Sequence, residues 1–340
     1  MSKKNSNVLN LKSLVLSNKK TSVFYSIFKK NLKPLNKKKP FVVGVSGGPD
    51  SLSLSALMKI FSLETKAKVF YVLIDHGIRK DSSEEAIKVK KLLKKYKISL
   101  VVLKNREKIN RNIQGKAREI RYKLFLNFCK KRRAKYLLTA HHSDDQIETF
   151  FIRLSRGSGV QGLSSMKNIT KLDNNITLVR PLLEFRKKDL IFLAKKSFGK
   201  TFKDPSNNND KFLRTRIRLL RTNLDKTGIH HDQIIRSIKN LASTNETLSN
   251  YISTIVKNNI STGKKEIKIN FENISKETLE IQLRILSDAI KKFSKSYYPP
   301  RSKKIKNVIN VLNLNKQKKL TLAGCLLQKS GKYLSIKKEP

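Results

Sequence analysis

The fold of this chain is decided by the stretch Phe41-Val42-Val43-Gly44-Val45-Ser46-Gly47-Gly48-Pro49-Asp50-Ser51. Its first five residues form an apolar, mostly β-branched run, which is typical of a buried strand. Two glycines and a proline interrupt the run, and apolar residues then recur at helical spacing over residues 52–61. The pattern predicts a strand, a tight glycine loop and a helix in direct succession.

The predicted loop suits a phosphate group. A glycine loop that leads into a helix presents unpaired backbone N–H groups to one point, and the helix dipole adds partial positive charge there. Ser46 and Ser51 can add hydroxyl donors. Asp50 is interpreted as a Mg²⁺ ligand, because a carboxylate beside bound phosphates is repulsive unless a cation lies between them. The Gly-Lys-Ser/Thr ending of a Walker A loop is missing.

Further apolar runs alternate with helical patterns along the first two thirds of the chain. The predicted strands that follow the first one cover residues 69–74, 98–103, 135–139 and 177–179. Polar residues come directly after three predicted strands, at 46–51, 75–79 and 141–145. This alternation predicts an α/β fold with a doubly wound, mainly parallel sheet. The carboxyl ends of parallel strands share one edge, so the three polar segments are expected to meet at one cleft.

The chain changes character from about residue 200. A turn-rich polar stretch at 204–210 leads into an arginine-rich helix start, and later segments predict helices and one hairpin of residues 319–327 and 332–336. We expect three parts: a basic N-terminal segment, a catalytic domain and a smaller, mostly helical C-terminal domain that binds RNA, over residues 1–38, 39–225 and 226–340. The N-terminal segment is expected to hold one amphipathic helix over residues 22–32.

The charge of the chain favours a polyanionic partner. Lysine and arginine number 75 against 25 acidic residues, a formal net charge of +50, which favours RNA; a genome-wide bias toward lysine and solvated helix faces are the alternatives. No apolar run is long enough for a membrane helix, and no secretory signal is evident. The two cysteines, Cys129 and Cys325, form no paired motif. Cys129 is expected to be a buried apolar residue, and the compartment to be a reducing cytoplasm.

Residues 46–51, Ser-Gly-Gly-Pro-Asp-Ser, resemble the SGGxDS signature of the N-type ATP pyrophosphatases, which split ATP between the α- and β-phosphates and adenylate a carbonyl oxygen. Six further segments are similar, in sequence and in order, to the tRNA(Ile)-lysidine synthase family. They cover residues 74–79, 117–122, 139–149, 156–163, 180–183 and 204–207. Six motifs in order are far more specific than any one of them.

The resemblance implies a reaction and its participants. In this family ATP adenylates C2–O of the wobble cytidine in a tRNA(Ile) with a CAU anticodon, and free L-lysine then displaces AMP to give lysidine, so that the tRNA reads AUA. It implies the adenine nucleotide alpha hydrolase-like fold, ATP as co-substrate and Mg²⁺ as the metal ion.

The predicted site residues follow from the motifs and their chemistry. ATP binding is assigned to Ser46, Gly47, Gly48, Pro49, Asp50, Ser51, His76 and Gly77. The residues predicted to be catalytic are Asp50, Arg118, Asp145 and Glu148. Arg118 is expected to face the transferring phosphate, with a solvated arginine as the alternative.

Asp145 and Glu148 are predicted to bind the substrate lysine. A lysine ammonium cannot attack until it loses its proton, so acidic groups are expected nearby. The two carboxylates lie three residues apart, on one side of a predicted helix. The alternative for this acidic cluster is stabilisation of a helix N-terminus.

Other charged residues have less specific roles. Arg214, Arg216 and Arg218 are predicted to contact tRNA phosphates, with solvated helix arginines as the alternative. His141 and His142 are assigned structural or nucleotide-contact roles. Basic residues near the C-terminal hairpin are expected to hold the tRNA body: Lys303, Lys304 and Lys306.

Two other functions compete with this interpretation. A thiolase of the same superfamily calls for paired cysteines, which this chain lacks. A non-catalytic RNA-binding protein would not need Ser46, Asp50, Asp145 and Glu148 together. The carboxylate that accepts the proton of lysine, the oligomeric state and the tRNA identity elements are left open by the sequence.

Overall fold

The computed structural model describes residues 6–77, 81–105, 107, 113–172, 175–202, 213–294, 300–314 and 317–339. The predicted segment 204–210 and residues Ile78 and Arg79 lie outside the described residues. The chain forms two compact units, Met1–Ala242 and Ser243–Pro340. The boundaries predicted at residues 38 and 225 separate parts of the chain by their expected functions, and they stay a prediction.

A six-stranded sheet forms the centre of the first unit. Its strands are β1 (Phe41–Val45), β2 (Val69–Asp75), β3 (Leu100–Lys104), β4 (Tyr136–Leu138), β5 (Ile169–Lys171) and β6 (Thr177–Val179). The order is β3-β2-β1-β4-β6-β5, and all neighbours are parallel except β5 and β6. The predicted mainly parallel sheet is confirmed. β5 was missed because this edge strand is short and mostly exposed, and so carries no apolar pattern.

Ten helices are described in or beginning in this unit. They are α1 (Ser6–Leu16), α2 (Lys19–Leu32), α3 (Pro49–Thr65), α4 (Ser82–Lys95), α5 (Ile113–Lys131), α6 (Ser143–Leu154), α7 (Val160–Leu163), α8 (Lys187–Phe198), α9 (Leu213–Lys226) and α10 (His231–Asn259). The predicted helix over 22–32 is the second part of α2. Leu11 and Val15 of α1, which the sequence did not predict, are fully buried in the core.

Helices cover both faces of the sheet, which makes the fold doubly wound. Val43 of β1 packs in one core with Leu57 of α3 and Leu193 of α8. Its neighbour Val42 packs in a second core with Phe125 of α5. Burial on both faces explains why β1 is a continuous apolar run and not an alternating one.

The sheet order reverses at β1, which pairs with β2 on one side and with β4 on the other. Such a switch point creates a crevice at the carboxyl ends of the two strands, and open α/β sheets bind ligands there. The loop after β1 carries residues 46–51, and the loop after β4 carries residues 139–142. The fold therefore places two of the predicted polar segments at the crevice.

The second unit combines helices with an antiparallel sheet. The strands β7 (Ile260–Thr262), β8 (Glu266–Asn270), β9 (Gln317–Leu322), β10 (Cys325–Ser330) and β11 (Tyr333–Lys338) lie in the order β7-β8-β11-β10-β9. The helices are α11 (Phe271–Ser275), α12 (Leu279–Ser294) and α13 (Ser302–Leu314). The hairpin between β10 and β11 was predicted, but treating residues 319–327 as one strand was wrong. Ala323 and Gly324 adopt positive φ angles of 55° and 73°, which makes a tight turn between β9 and β10.

Among the described residues, no helix is both long and apolar enough to cross a membrane.

Candidate active site

The loop after β1 has the geometry of an anion-binding loop. Gly47 has φ +85°, and a Cβ atom there would lie 2.5 Å from Cγ2 of Val89, so only glycine fits. Gly48 is the N-cap of α3 and has no side chain with which to cap the first turn. The backbone N–H groups of the first turn of α3 thus have no side-chain cap, as in helix starts that bind anions.

The Ser51 side chain forms hydrogen bonds with the backbone of the glycine loop at two points, Ser46 and Gly48. Its Oγ accepts a hydrogen bond from the Ser46 backbone N at 3.0 Å and donates one to the Gly48 carbonyl at 3.0 Å. The side chain is buried, whereas Ser46 is exposed. Ser51 therefore shapes the loop, and its hydroxyl proton is already used; its predicted contact with phosphate stays a prediction.

Asp50 lies in the first turn of α3 and faces groups from two other segments. Its Oδ2 accepts a hydrogen bond from Nζ of Lys187 at 2.5 Å, and its Oδ1 lies 3.7 Å from Nε2 of His142. Oδ1 is buried without a hydrogen-bond partner among the described residues. A carboxylate oxygen of this kind can accept a cation or a donor that approaches from the crevice.

The first turn of α6 gathers acidic groups around His142. The His142 side chain is buried, and its Nε2 lies 3.5 Å from Oδ2 of Asp145 while its Nδ1 lies 3.7 Å from Oδ2 of Asp144. His142 thus links Asp50 at the loop after β1 to the acidic residues predicted for lysine.

Asp145 is held as an anion. Burial alone would raise the pKa of this carboxyl, but the nearby residues His142, His141 and Arg214 and the His142 backbone N–H hold the pKa below its usual value. Its Oδ2 accepts from that N–H at 3.1 Å, which completes a cap of α6. Asp145 therefore stabilises the N-terminus of α6, which is the alternative role predicted from the sequence.

Glu148 is paired with the arginines of α9. The carboxylate is 2% exposed, accepts a hydrogen bond from Nε of Arg218 at 2.6 Å and lies 3.7 Å from Nε of Arg214. Two of the three arginines predicted for tRNA thus contact the carboxylate predicted for lysine. Arg216 is exposed and instead lines a mainly apolar cavity of about 350 Å³ with Phe151, Leu154, Ser155, Leu213, Ile217 and Leu220.

His141 is a buried, neutral group with one carboxylate and several arginines near it. Its Nδ1 lies 2.9 Å from Oγ1 of Thr139. Burial lowers the pKa of His141 to about 3; the Asp145 carboxylate opposes this shift, and three arginines act in the same direction as burial: Arg180, Arg118 and Arg214. Arg118 therefore lies in the electrostatic neighbourhood of His141, with its guanidinium 5.0 Å from the ring centre of Tyr122.

His76 and Gly77 follow β2. Gly77 donates its backbone N–H to Oδ1 of Asp75 at 3.1 Å, which fixes the turn. Nε of Arg121 donates to Nε2 of His76 at 3.2 Å, and burial lowers the pKa of His76 to about 4. Arg121 is a partner on α5 that sequence reasoning missed.

Three further contacts were missed: Lys187 with Asp50, Lys187 backbone N with Asp144 at 2.8 Å, and Arg221 with Asp144 at 2.6 Å. The partners are separated by 137, 43 and 77 residues respectively. The only available signal for Lys187 is its place four residues after the predicted motif 180–183.

The prediction that Cys129 is a buried apolar residue is confirmed. Its side chain is fully buried, and burial raises the pKa of its thiol to about 12.

Comparison with known proteins matches the PP-loop domain family to residues 20–223. The tRNA(Ile)-lysidine synthase of Wolbachia pipientis wMel is 35% identical over 305 residues, which cover 87% of this chain and 70% of that protein. The tRNA(Ile)-lysidine synthase of Rhodopseudomonas palustris (strain ATCC BAA-98 / CGA009) is 30% identical over 314 residues, covering 88% and 90%. A solved structure, the U34-tRNA thiolase NcsA from Methanococcus maripaludis, superposes with a TM-score of 0.56 at 18% identity, over 66% of this chain and 80% of that one. At this identity the likeness to the thiolase supports the fold alone.

Proposed function

Because the chain belongs to the PP-loop family of tRNA(Ile)-lysidine synthases, we propose that it joins free L-lysine to C2 of the wobble cytidine of a CAU-anticodon tRNA(Ile). The reaction is a carbon–nitrogen ligation driven by ATP, and the product tRNA reads AUA. One observation supports this use of the site most directly. His142 lies 3.7 Å from Asp50 and 3.5 Å from Asp145, so the phosphate loop and the acidic start of α6 form one continuous site.

The first step in this proposal is adenylation of the cytidine. The C2 oxygen forms a bond to the α-phosphorus of ATP, the bond to the β-phosphate oxygen breaks, and its electron pair leaves with diphosphate. The backbone N–H groups of Gly47, Gly48, Asp50 and Ser51 stabilise the charge that the diphosphate gains; Pro49 has no N–H to donate. Arg118 neutralises charge on the transferring phosphate.

Asp50 fits the role of a Mg²⁺ ligand. The fit rests on its Oδ1, which is buried without a hydrogen-bond partner among the described residues and lies in the first turn after the phosphate loop. Mg²⁺ binds oxygen ligands and is usually held by one or two carboxylates together with substrate phosphates. When bound, the ion supplies charge neutralisation between neighbouring phosphate groups.

The second step in this proposal is attack by the lysine amine. The ε-nitrogen bonds to C2, the bond from C2 to the adenylated oxygen breaks, and AMP leaves with that electron pair. Asp145, which stays ionised, binds the lysine ammonium, and a carboxylate of the pair Asp145 and Glu148 accepts its proton. Glu148 can bind lysine only after its ion pair with Arg218 breaks. The Arg218 side chain is 40% exposed and can turn to solvent or to a tRNA phosphate.

The tRNA itself is the polyanion that the charge of +50 suits. We propose that Arg216, which is exposed, contacts a phosphate directly, whereas Arg214 and Arg218 do so after leaving Glu148. The exposed lysines Lys303, Lys304 and Lys306 of the second unit add non-specific attraction.

Incubation of the purified protein with ATP, radiolabelled lysine and a CAU-anticodon tRNA(Ile) transcript tests the proposal. The expected result is label in the tRNA together with AMP and diphosphate. A transcript with a UAU anticodon is the matched control and should stay unlabelled. Formation of AMP without label in the tRNA, or no AMP at all, would contradict the proposed function.

A further inference from the structure

Lys187 contacts both halves of the proposed site. Its Nζ donates to Oδ2 of Asp50 at 2.5 Å, and its backbone N donates to Oδ2 of Asp144 at 2.8 Å. A single residue thus bridges the first turn of α3 and the first turn of α6, the two helix starts that flank the switch point of the sheet.

The backbone before Lys187 is anchored. The Phe185 carbonyl accepts hydrogen bonds from the backbone N of Ser143 at 2.9 Å and from its Oγ at 2.8 Å. Arg186 pairs with Asp232 at the start of α10. The Lys187 side chain therefore extends toward Asp50 from a fixed point, as a ligand-positioning residue requires.

Helix stability does not explain a lysine at this position. Lys187 is the first residue of α8, where the helix dipole favours anions and disfavours cations. The ammonium group is also not fully committed to Asp50, because the side chain is 40% exposed. A half-exposed cation beside an anion-binding loop can exchange one anionic partner for another at little desolvation cost.

We propose that Lys187 is a ligand of the β- and γ-phosphates of ATP, an inference that rests on the proposed function. In the structure it pairs with Asp50, and with ATP in the loop its ammonium moves to the phosphate oxygens. When the α-phosphorus forms its bond to the cytidine oxygen, the electron pair of the broken bond remains on diphosphate. Lys187 pairs with this added charge.

Direct binding of inorganic pyrophosphate to the full-length protein, measured by calorimetry with Mg²⁺ present, tests the inference without turnover. Lys187→Ala should weaken binding about tenfold or more, because one charge-assisted hydrogen bond to the phosphates is lost. Lys187→Arg should restore most of the affinity. The matched control is Lys188→Ala, the next residue of the same helix turn and an exposed one, which should bind like wild type.

A second pair of variants separates direct contact from an effect through Asp50. In an Asp50→Asn background, Lys187→Ala should again cost about tenfold, because the lysine contacts phosphate itself. No further loss in that background would show that Lys187 is only the counter-ion of Asp50 and would overturn the inference. Equal losses for Lys187→Ala and Lys188→Ala would overturn it too, since general electrostatic attraction would then suffice.

The outcome is distinguishable from failure of the proposed function. A wild-type protein that attaches lysine to tRNA, paired with a Lys187→Ala variant of unchanged pyrophosphate affinity, would remove the role of Lys187 alone. A wild-type protein that binds pyrophosphate through Lys187 but attaches no lysine would support the phosphate contact and contradict the proposed substrates.

Discussion

The two halves of the candidate site are built by different means. The backbone of the loop after β1 is shaped by hydrogen bonds within six consecutive residues, such as those of Ser51 with Ser46 and Gly48, and it packs closely against Val89 of α4. The charged cluster of α6 and α9 is held by pairs that are 70 and 77 residues apart, Glu148 with Arg218 and Asp144 with Arg221. The loop binds through backbone geometry and the cluster through side-chain charge, so the two should respond to different substitutions.

Asp50→Asn should give the largest effect, because Asp50 is the contact point between the two halves. The amide keeps the shape of the side chain but removes its negative charge. That charge pairs with Lys187 and is needed to hold a metal cation. Lysine incorporation should fall about 10²- to 10³-fold, the range typical when one charge-stabilising group is removed. Single-turnover assays with labelled lysine measure the rate.

The matched control is Asp189→Asn, in the first turn of α8, whose carboxylate pairs with Lys20 at 3.0 Å. It should retain wild-type incorporation. Undiminished incorporation by Asp50→Asn would remove Asp50 from the proposed mechanism and leave the loop as a structural turn.

Gly47→Ala should break the loop half through its backbone. Gly47 and Gly199 have similar positive φ angles of 85° and 72°, but a Cβ at Gly47 meets Val89 at 2.5 Å whereas one at Gly199 meets nothing within 4 Å. Gly199→Ala should therefore lose about 1–2 kcal/mol of unfolding free energy from backbone strain alone. Gly47→Ala should lose more, and urea unfolding of the two variants measures the difference.

Val89→Ala combined with Gly47→Ala should recover part of that difference, because it removes the clashing methyl group. If Gly47→Ala were no worse than Gly199→Ala, close packing of the loop against α4 would not be what requires glycine.

Glu148→Ala tests the charged half. The variant should raise the KM for lysine about tenfold, the loss expected from one charged contact, and leave the KM for ATP nearly unchanged. Steady-state assays that vary each substrate separately measure both constants.

Glu184→Ala removes an exposed carboxylate of the same unit and should change neither constant. Arg218→Ala is the informative partner, because it removes the hydrogen bond of Arg218 to Glu148 while the carboxylate and its neighbour Arg214 remain. Equal rises in the two KM values for Glu148→Ala would argue that the carboxylate only holds α9 in place.

The same contrast explains what the sequence could predict. The bounds of β1 and β6 coincide with the predicted ones, because apolar runs report burial in a parallel sheet. The loop was predicted because its signal, Gly-Gly-Pro after a strand, is local. Nothing local identifies Arg218 as the partner of Glu148, since only the fold brings α9 to α6. The sequence therefore predicted tRNA binding for Arg214 and Arg218 and lysine binding for Glu148, although these side chains contact each other.

The C-terminal sheet shows a second limit. The run of residues 319–327 looks like one strand because apolar residues continue across it, whereas the chain turns at Ala323 and Gly324. Tight hairpin turns are usually recognised by glycine or asparagine at both positive-φ positions, and here alanine occupies the first of them.

His141→Gln should give the smallest effect, and it tests whether the charged half is also sensitive to pH. The pKa of His141 is lowered to about 3 in the folded protein, from an ordinary value of about 6.5 in the unfolded chain. The unfolded chain therefore binds an extra proton below pH 6.5, so this histidine makes the protein less stable as the pH falls from 6.5 toward 3. The slope is at most about 1.4 kcal/mol per pH unit for this one group.

Urea unfolding at pH 7.5, 6 and 5 measures that slope. Replacing His141 with glutamine keeps a polar partner for Thr139 and removes the titrating group, so the unfolding free energy should fall less between pH 7.5 and 5 than in wild type. His76→Gln should flatten the profile in the same direction, because burial lowers the pKa of His76 to about 4, and the double variant should be the flattest. If His141→Gln kept the wild-type slope while His76→Gln lost it, the acid sensitivity would belong to the end of β2, and the cations around His141 would not govern the protonation of the site.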